Sequence, residues 1–361
     1  NNTTKKRKCI TIHDDSSNTE SSNDDNEQEL ELPISPENLS SPIKFKGKKN
    51  TKQTTLMNFF KKNINFRINE ELQINCHGKY LRNNDMLNFD LLLNNYQELN
   101  KLILSKNNIV DVTMFIDLNN LEDLNLSKNV LRTFDNSLLE ILPTMVSLNL
   151  SYNHINSVEH TMNQTILKIN MLDLSHNNIS SLPKKFSELL INLQYLDLSF
   201  NRIQSLQDCN LIHLNSLKVL YVNNNFLNQI MEINNLSHIE VLSIEHNKIS
   251  QLYSNLTVNS LQYMNISGNI LSSFPNILFK NLKILDISNN KFTYIPEEIS
   301  IKNFPLLLQL KVNKNPIQNL TILSDLKLNS FDIYLLLDLS NNQFSYVTRK
   351  LIVHNNSLST Y

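Results

Sequence analysis

The chain is poor in the residue types that mark secreted, membrane-spanning and nucleotide-binding proteins. Its 361 residues include only three glycines, three cysteines and no tryptophan. So few glycines leave no glycine-rich loop to hold a phosphate. The scattered Cys9, Cys76 and Cys209 form no disulfide framework, which favours a reducing compartment. No apolar run approaches the ~18–20 residues that span a bilayer, and the polar N-terminal residues predict no signal peptide.

Charge and motif content also argue against enzymatic chemistry. The formal net charge is -1, so no global field selects nucleic acid or a membrane surface as a partner. The sequence contains no HExxH motif and no Cys/His set at zinc spacing. We therefore expect a protein that is not an enzyme, with no cofactor and no metal, and without direct contact to nucleic acid or membrane.

An eleven-residue phrase recurs along the last three-quarters of the chain. In its first copy, LNKLILSKNNI, apolar residues stand at positions one, four, six and eleven, and asparagine at position nine. The apolar pair two residues apart, such as Leu172 and Leu174, points to one side of a strand and is predicted to be buried. The asparagine is predicted to bond the backbone of the neighbouring copy, because an isolated buried amide is costly. The copies occupy 99–109, 121–131, 145–155, 169–179, 193–203, 217–227, 239–249, 261–271, 282–292, 307–317 and 334–344.

This phrase resembles the leucine-rich repeat, LxxLxLxxNxL. Return segments such as Leu182–Pro183 with Phe186 resemble the typical subclass, in which the convex side is irregular or short helical. One coil cannot bury its own apolar face, so the next coil covers it. The resemblance implies an α/β solenoid, a leucine-rich repeat horseshoe with a parallel β-sheet on the concave side and loops or short helical turns on the convex side.

The repeats lie between segments of a different character. Leu81, Asn84 and Met86 resemble half a repeat and are predicted to belong to an atypical capping coil, which hides the first edge of the core. A shorter half-repeat near Asn356 is either a terminal cap or a shortened coil. The predicted segments are a disordered tail at 1–63, a cap or degenerate repeat at 64–98, eleven repeats at 99–346, and a half-repeat or cap at 347–361.

The tail is polar and charged, and it is predicted to be disordered because it cannot bury enough apolar surface. It begins with a basic cluster that is typical of a nuclear import signal, although a solvated charge run gives the same pattern. Ser41, followed by Pro42, resembles the target of proline-directed cell-cycle kinases. We therefore expect a nuclear protein, with the cytoplasm as the alternative. The basic cluster consists of Lys5, Lys6, Arg7 and Lys8.

The end of the tail carries a second motif, QTTLMNFF at 53–60. It resembles the PIP box, Q-x-x-(I/L/M)-x-x-(F/Y)-(F/Y), with which many replication and repair proteins bind the sliding clamp PCNA. The resemblance implies that Gln53 fills a polar pocket, while Leu56, Phe59 and Phe60 form an apolar plug on one helical turn. The alternative is that these residues form the first apolar turn of the repeat array.

The concave side of the array is predicted to carry the second binding surface. Aromatic residues concentrate at the outward positions of the middle copies, beside acidic residues, as expected of a protein-binding patch. Acidic residues in the text LDLS are also common in such repeats, so they can instead be decoration. The predicted contact residues are Tyr195, Phe200, Tyr221 and Tyr263.

These features predict a protein-interaction scaffold. The favoured hypothesis is a nuclear adaptor that binds PCNA through its tail and a second protein on the concave face. One alternative is an ectodomain or innate-receptor-type fragment that binds an extracellular ligand. A further alternative is a leucine-rich regulatory subunit of a phosphatase or ubiquitin ligase.

Overall fold

Most strands of the protein belong to a single parallel sheet of twelve strands, each paired with strands from neighbouring coils. The computed structural model describes residues 10–11, 43–44, 72–75, 77–78, 80–82, 99–112, 118–135, 142–159, 167–183, 185–300, 302–318, 336–338 and 342. The strands of the sheet are β3 (Leu72–Asn75), β4 (Leu99–Ile103), β5 (Asp123–Asn125), β7 (Ser147–Asn149), β9 (Met171–Asp173), β10 (Tyr195–Asp197), β11 (Val219–Tyr221), β12 (Val241–Ser243), β13 (Tyr263–Asn265), β14 (Ile284–Asp286), β15 (Gln309–Lys311) and β16 (Leu336–Asp338).

Two further pairs of parallel strands lie outside this sheet. Strand β1 (Ile10–Thr11) pairs with β2 (Ile43–Lys44). Strand β6 (Thr133–Asp135) pairs with β8 (Ser157–Glu159) in the return segments of two successive coils. The twelve-stranded sheet follows the order of the sequence, with only β6 and β8 passed over. The α/β solenoid with a parallel concave sheet, expected from the repeats, is confirmed.

The three-residue strands bury one face and present the other. In β10 and β11 the central residues Leu196 and Leu220 are fully buried and lie in register. The next apolar residue in each copy, such as Leu198, is also buried. Alternation along a strand therefore sends both leucines inward and leaves their neighbours to form the concave surface.

The helices in the described parts of the return segments are short. The helix α1 (Phe186–Leu189) begins three residues after Pro183 and buries Phe186 against the core. The 3₁₀ helices are η1 (Leu206–Cys209), η2 (Leu211–His213) and η3 (Met231–Asn235). Irregular or short helical structure was expected in these segments; a short helix follows Pro183, whereas the residues directly after Pro275 and Pro296 are irregular or form turns.

One continuous apolar core runs through the described coils. Aliphatic residues fill most of it, and three phenylalanines form a cluster near the C-terminal end. The ring centroids of Phe274, Phe279 and Phe304 lie 5.3–6.5 Å apart. Side chains contributed by successive coils therefore share one interior, as expected of stacked repeats.

A ladder of buried asparagines joins the coils. The Asn201 side chain accepts a bond from the Ile179 backbone N–H at 2.9 Å and donates to the Leu174 carbonyl at 2.9 Å, both in the preceding coil. It also donates to the carbonyls of Leu198 and Ser199 in its own coil. The predicted bonding of asparagine to the neighbouring backbone is confirmed. The same pattern of bonds to the preceding coil holds at Asn129, Asn153, Asn177, Asn225, Asn247, Asn269 and Asn290.

The two ends of the array are described in part. Strand β3 extends the sheet before the first complete repeat, and the Leu81 backbone N–H donates to Asn107 Oδ1 at 3.0 Å. At the other end, Asn342 Oδ1 accepts bonds from the Asn315 and Ile317 backbone. Asn84, Met86 and the predicted C-terminal cap at 347–361 lie outside the described residues.

Candidate functional site

The concave face is formed by the outward side chains at the first and third positions of the short strands. Because the strands pair in register, these side chains form two columns across the sheet. Met171, Tyr195 and Val219 are neighbours in the first column. Asp173, Asp197 and Tyr221 are neighbours in the second, so acidic and aromatic groups meet in the middle coils.

The four aromatic residues predicted to contact a partner occupy different environments. The rings of Tyr195 and Tyr221 meet edge to face, with centroids 5.7 Å apart. Tyr195 is only 5% exposed, whereas Tyr221 and Tyr263 are half-buried and Phe200 is 45% exposed. Tyr263 lies two strands beyond Tyr221. The structure thus brings Tyr195 and Tyr221 together and places Tyr263 and Phe200 separately.

Two carboxylates, Asp173 and Asp197, sit side by side on β9 and β10, and we call them the acidic pair. Burial, and after it the neighbouring Asp173 charge, raise the pKa of Asp197 to about 7, against the opposing effect of hydrogen bonds from Ser199 and Tyr195. Burial also raises the pKa of Asp173, against bonds from Ser175. Desolvation disfavours the charged form of each group, and the proximity of the two groups adds repulsion.

The acidic pair has no ion-pair partner on the part of the chain that the structure describes. The concave ion pairs lie towards the two ends, where Lys101 binds Asp123 at 2.6 Å and Lys311 approaches Asp286 at 3.9 Å. Backbone N–H groups instead donate to the pair, from Ser175 to Asp173 and from Ser199 to Asp197. The middle of the concave face is therefore acidic, with its charge left open to a partner.

Beside the acidic pair, three aromatic rings from successive coils stack along one edge of the concave face. The centroid of His176 lies 3.8 Å from that of Tyr152 and 4.0 Å from that of Phe200, with interplanar angles of 11°. We call these three residues the aromatic ladder. Lys128 from the preceding coil lies over the Tyr152 ring at 5.1 Å. Tyr152 is 47% exposed, so the rings present their edges to solvent.

The stacked environment also changes the chemistry of His176. Desolvation lowers its pKa, Asp173 opposes the shift, and Lys128 adds to it. Of these three residues only Phe200 was predicted to contact a partner, and the stacking of the rings was not predicted. The signal was present, because Tyr152, His176 and Phe200 occupy the same position of three successive copies.

Every residue that the structure describes at this edge position has a left-handed backbone. The φ angles of Tyr152, His176 and Phe200 are 54°, 53° and 55°. Such angles suit glycine and asparagine, and they cost a bulky side chain roughly 1–2 kcal/mol. Stacking returns about 0.5–1.5 kcal/mol for each ring pair. The chain thus accepts local strain to hold three rings where later coils have Asn224, Gly268 and Asn289.

The asparagine side chains of two potential glycosylation sequons make hydrogen bonds within the protein. Asn149 Oδ1 accepts bonds from the backbone and hydroxyl of Ser151, and Asn265 Oδ1 accepts the same pair from Ser267. Both asparagines lie on the concave sheet. An N-linked sugar is attached to Nδ2 and leaves these Oδ1 bonds in place, but on either side chain it would cover the concave face.

Other predicted site residues are not placed. The basic cluster, the phosphorylation candidate Ser41 and the PCNA-binding residues Gln53, Leu56, Phe59 and Phe60 lie outside the described residues. Within the ranges that the structure describes, no group of three or more His, Cys, Asp or Glu residues could hold a metal ion. No helix in those ranges has the length and apolar character to cross a membrane.

The sequence matches known repeat proteins. A model described as leucine rich repeat matches residues 97–155, 168–227 and 191–249, and a second model of that description matches 281–301. The chain is 29% identical to lumican of Mus musculus over 137 residues, or 37% of this chain and 39% of lumican. Lumican of Oryctolagus cuniculus is 32% identical over 162 residues, or 37% of this chain and 81% of that protein. The chain therefore spans about two-fifths of the length of the first of these relatives.

A similar fold occurs among solved structures. A leucine-rich repeat protein of Leptospira interrogans aligns with a TM-score of 0.59 and 23% identity, covering 76% of this chain and 72% of that one. At this identity the likeness concerns the fold alone. The repeat spacing, the asparagine ladder, the parallel sheet and the matched relatives together show that the chain belongs to the leucine-rich repeat family.

Proposed function

We propose that the protein is a non-enzymatic nuclear adaptor that binds PCNA through its tail and a second protein on its concave face. The observation that carries the second half is the patch of aromatic and acidic side chains in the middle coils. A leucine-rich repeat scaffold is suited to protein–protein interaction. The first half is supported by the match of 53–60 to all four defining positions of the PIP box.

The concave face suits a protein partner because it combines rigid rings with unbalanced charge. Tyrosine and phenylalanine carry large contact areas with little conformational freedom to lose, and such residues dominate binding energies at interfaces. Tyr221, Tyr263 and Phe200 are at least partly accessible. Tyr195 is buried against Tyr221 and the acidic pair, so it supports these residues more than it contacts a partner itself.

The energy of tail binding agrees with a micromolar interaction. Burial of Leu56, Phe59 and Phe60 at ~1.5–3 kcal/mol each supplies most of the gross energy. Ordering a free segment offsets about 2–5 kcal/mol of that gain. Weak binding at each of two sites suffices for an adaptor, because the linked second event proceeds at a raised effective concentration.

Calorimetry of the full chain against PCNA tests the tail. We expect a dissociation constant in the micromolar range and no measurable heat for the Phe59→Ala/Phe60→Ala variant. The matched control is Thr54→Ala/Asn58→Ala, which changes two positions of the same segment that the PIP box leaves free. Absence of heat from the unsubstituted chain at high micromolar concentration removes the PCNA-binding adaptor.

The similarity to lumican favours a second candidate, an ectodomain or innate-receptor-type fragment whose concave face binds an extracellular ligand. The position of Asn149 and Asn265 on the concave sheet favours the nuclear proposal instead, because sugars on these two sequons would cover the proposed binding face. Sequencing of complete transcripts separates the two candidates. A signal peptide upstream or a membrane span downstream supports the receptor, and their absence from a complete transcript supports the adaptor.

A further inference from the structure

The aromatic ladder and the acidic pair form one surface on three neighbouring coils. Asp173 and His176 belong to the same coil and interact electrostatically, and Asp197 precedes Phe200 by three residues in the next coil. The surface therefore presents ring edges on one side and carboxylates on the other. Among the described residues, no lysine or arginine forms an ion pair with the two carboxylates. Lys128 lies over Tyr152, at the far end of the aromatic ladder.

We propose that this surface binds a protein segment that presents an arginine side chain, held between the aromatic ladder and the acidic pair. The proposal rests on the protein-binding role given to the concave face above, and it names the chemistry of the partner.

Charge complementarity selects a cation as the occupant. Two adjacent carboxylates repel each other, and a bound cation relieves that repulsion while restoring the charged form of each group. Asp173 and Asp197 each accept one backbone N–H bond and interact with nearby hydroxyl groups, of Ser175 and Ser151 and of Ser199 and Tyr195. A carboxylate has about four acceptor positions on its two oxygens, so each group retains acceptor capacity for a guanidinium donor. Phosphate groups of nucleic acid or lipid are disfavoured on this surface by the same two charges.

The rings select arginine among cations. Guanidinium is planar, stacks on the faces of aromatic rings and bonds carboxylates through two donors. His176 is covered on both faces by Tyr152 and Phe200, and Lys128 lies over Tyr152, so the arginine is placed on the face of Phe200 turned away from His176, where it can also bond the acidic pair. The protein itself shows that these rings accept a cation, because Lys128 Nζ lies 5.1 Å from the Tyr152 centroid. Phe200, at the other end of the ladder, is exposed and lies next to the acidic pair in sequence.

The matched probes are two acetylated and amidated dodecapeptides of alternating arginine and glycine with one tryptophan, identical except that citrulline replaces arginine in the second. Citrulline keeps the planar shape but removes the charge. The chain has no tryptophan, so the fluorescence anisotropy of the peptide is free of background from the protein. We expect the full chain to bind the arginine peptide at least ~10-fold more tightly than the citrulline peptide.

Four variants of the full chain locate the binding. Asp173→Asn/Asp197→Asn is expected to weaken the arginine peptide at least ~10-fold, and Phe200→Gly about threefold to fivefold. Asp286→Asn removes one charge from the same column outside the surface, and Asn289→Gly changes the same left-handed position elsewhere. Both controls are expected to bind as the unsubstituted chain does. The folding of each variant is checked by circular dichroism, and asparagine already stands at the equivalent positions 149 and 265.

Three results overturn the proposal. The first is equal binding of the two peptides, and the second is equal loss of binding in the variants and their controls. The third is a different occupant of the surface. A second copy of the chain would appear in sedimentation as a dimer that Asp173→Asn/Asp197→Asn dissociates. The protein's own basic cluster would appear as peptide binding that is seen only after residues 1–9 are removed. PCNA binding by the unsubstituted chain separates the two proposals, because an unsubstituted chain that binds PCNA but not the arginine peptide removes only this one.

Discussion

A single asparagine side chain in each coil makes hydrogen bonds both to its own coil and to the preceding coil, so its loss removes bonds in both coils. Asn201 bonds one N–H and one carbonyl of the preceding coil and two carbonyls of its own. Replacing it with alanine leaves the buried Ile179 N–H without its partner. The three carbonyls each lose one bond but keep another donor, from the Asn177 side chain, the Asn225 side chain and the His176 backbone. Each unsatisfied group costs about 1–3 kcal/mol, partly relieved by water or local movement. The asparagine is thus a structural residue whose polarity is required by the backbone around it.

The first prediction concerns this residue. Asn201→Ala is expected to lower the free energy of unfolding by ~2–4 kcal/mol, measured by denaturant unfolding followed by circular dichroism. The matched control is Asn178→Ala, at the half-buried position next to the ladder residue Asn177. A loss of stability in the control as large as that in Asn201→Ala would show that the lost free energy of unfolding does not come from the hydrogen bonds of the buried asparagines.

Asp197 of the acidic pair, unlike Asn201, is a side chain that destabilises the fold at neutral pH. The pKa of Asp197 is about 7 in the folded chain against an ordinary value of 3.8. Below the ordinary value both states are protonated and the side chain has no effect. As pH rises towards 7 the unfolded chain releases the proton first, so stability is lost progressively and the loss is complete above the folded pKa.

Asp197→Asn is therefore expected to stabilise the protein at high pH. The gain is at most ~4 kcal/mol at pH 8, because each pH unit between the two pKa values corresponds to about 1.36 kcal/mol, and it vanishes near pH 3.5. The amide oxygen can still accept the Ser199 N–H bond, as Asn149 does from Ser151. Thermal unfolding at both pH values measures the effect. A variant that is less stable than the unsubstituted chain at pH 8 would show that the carboxylate is needed for the fold.

At the scale of the element, the turn after each strand repeats one geometry with different side chains. Its backbone N–H donates to a carbonyl of the next coil, as His246 does to Ser267 and Gly268 does to Ser288, at 2.9 and 3.0 Å. The left-handed φ is imposed by this bond and not by the residue. A coil can therefore place a ring, an amide, an ammonium group or no side chain at the same edge of the concave face.

Gly268 tests how tightly this edge is packed. It has φ +66°, and a Cβ atom there would lie 2.5 Å from Nδ1 of His246 in the preceding coil. Gly268→Ala is expected to destabilise the protein by ~1–3 kcal/mol, from the backbone conformation and the close contact together. In the background of His246→Ala the contact is gone, so the cost of Gly268→Ala should fall to ~1 kcal/mol. Additive effects in the double-mutant cycle would contradict the packing of the imidazole over Gly268.

Features that recur in every coil could be predicted from the sequence, whereas features confined to particular coils could not. The inward leucines, the parallel sheet and the asparagine bonds follow from a repeat that imposes one environment at each position, so Leu172, Leu174 and Asn177 could be predicted. The burial of Tyr195, 5% exposed, could not, because it depends on contact with Tyr221 in the next coil. Loops or short helical turns were expected on the convex side, but which return segments form 3₁₀ helices could not be predicted, since these segments vary in length. The stacking of His176 required knowledge of the left-handed turn.

At the scale of the whole molecule, stability is the sum of coils and of the interfaces between them. Each strand of the sheet pairs only with its neighbours in the order of the coils. A coil in the middle has two interfaces, whereas one near an end has less structure beyond it. Such an array loses its terminal coils more easily than its middle ones. The candidate site lies in the middle coils, where the backbone that positions its rings is held from both sides.

Two substitutions of the same kind test this arrangement. Leu220 in β11 and Leu102 in β4 are both fully buried, but β11 lies in the middle of the sheet and β4 is next to its first strand. Each leucine-to-alanine change removes about 2–5 kcal/mol locally. Leu220→Ala is expected to lower the midpoint of the main unfolding transition and to increase hydrogen exchange throughout the array. Leu102→Ala should increase exchange mainly at 99–112 and leave the main transition nearly unchanged. If the two variants gave the same exchange pattern by mass spectrometry, the array would unfold as a single unit, and the middle coils would hold the site no more firmly than the ends.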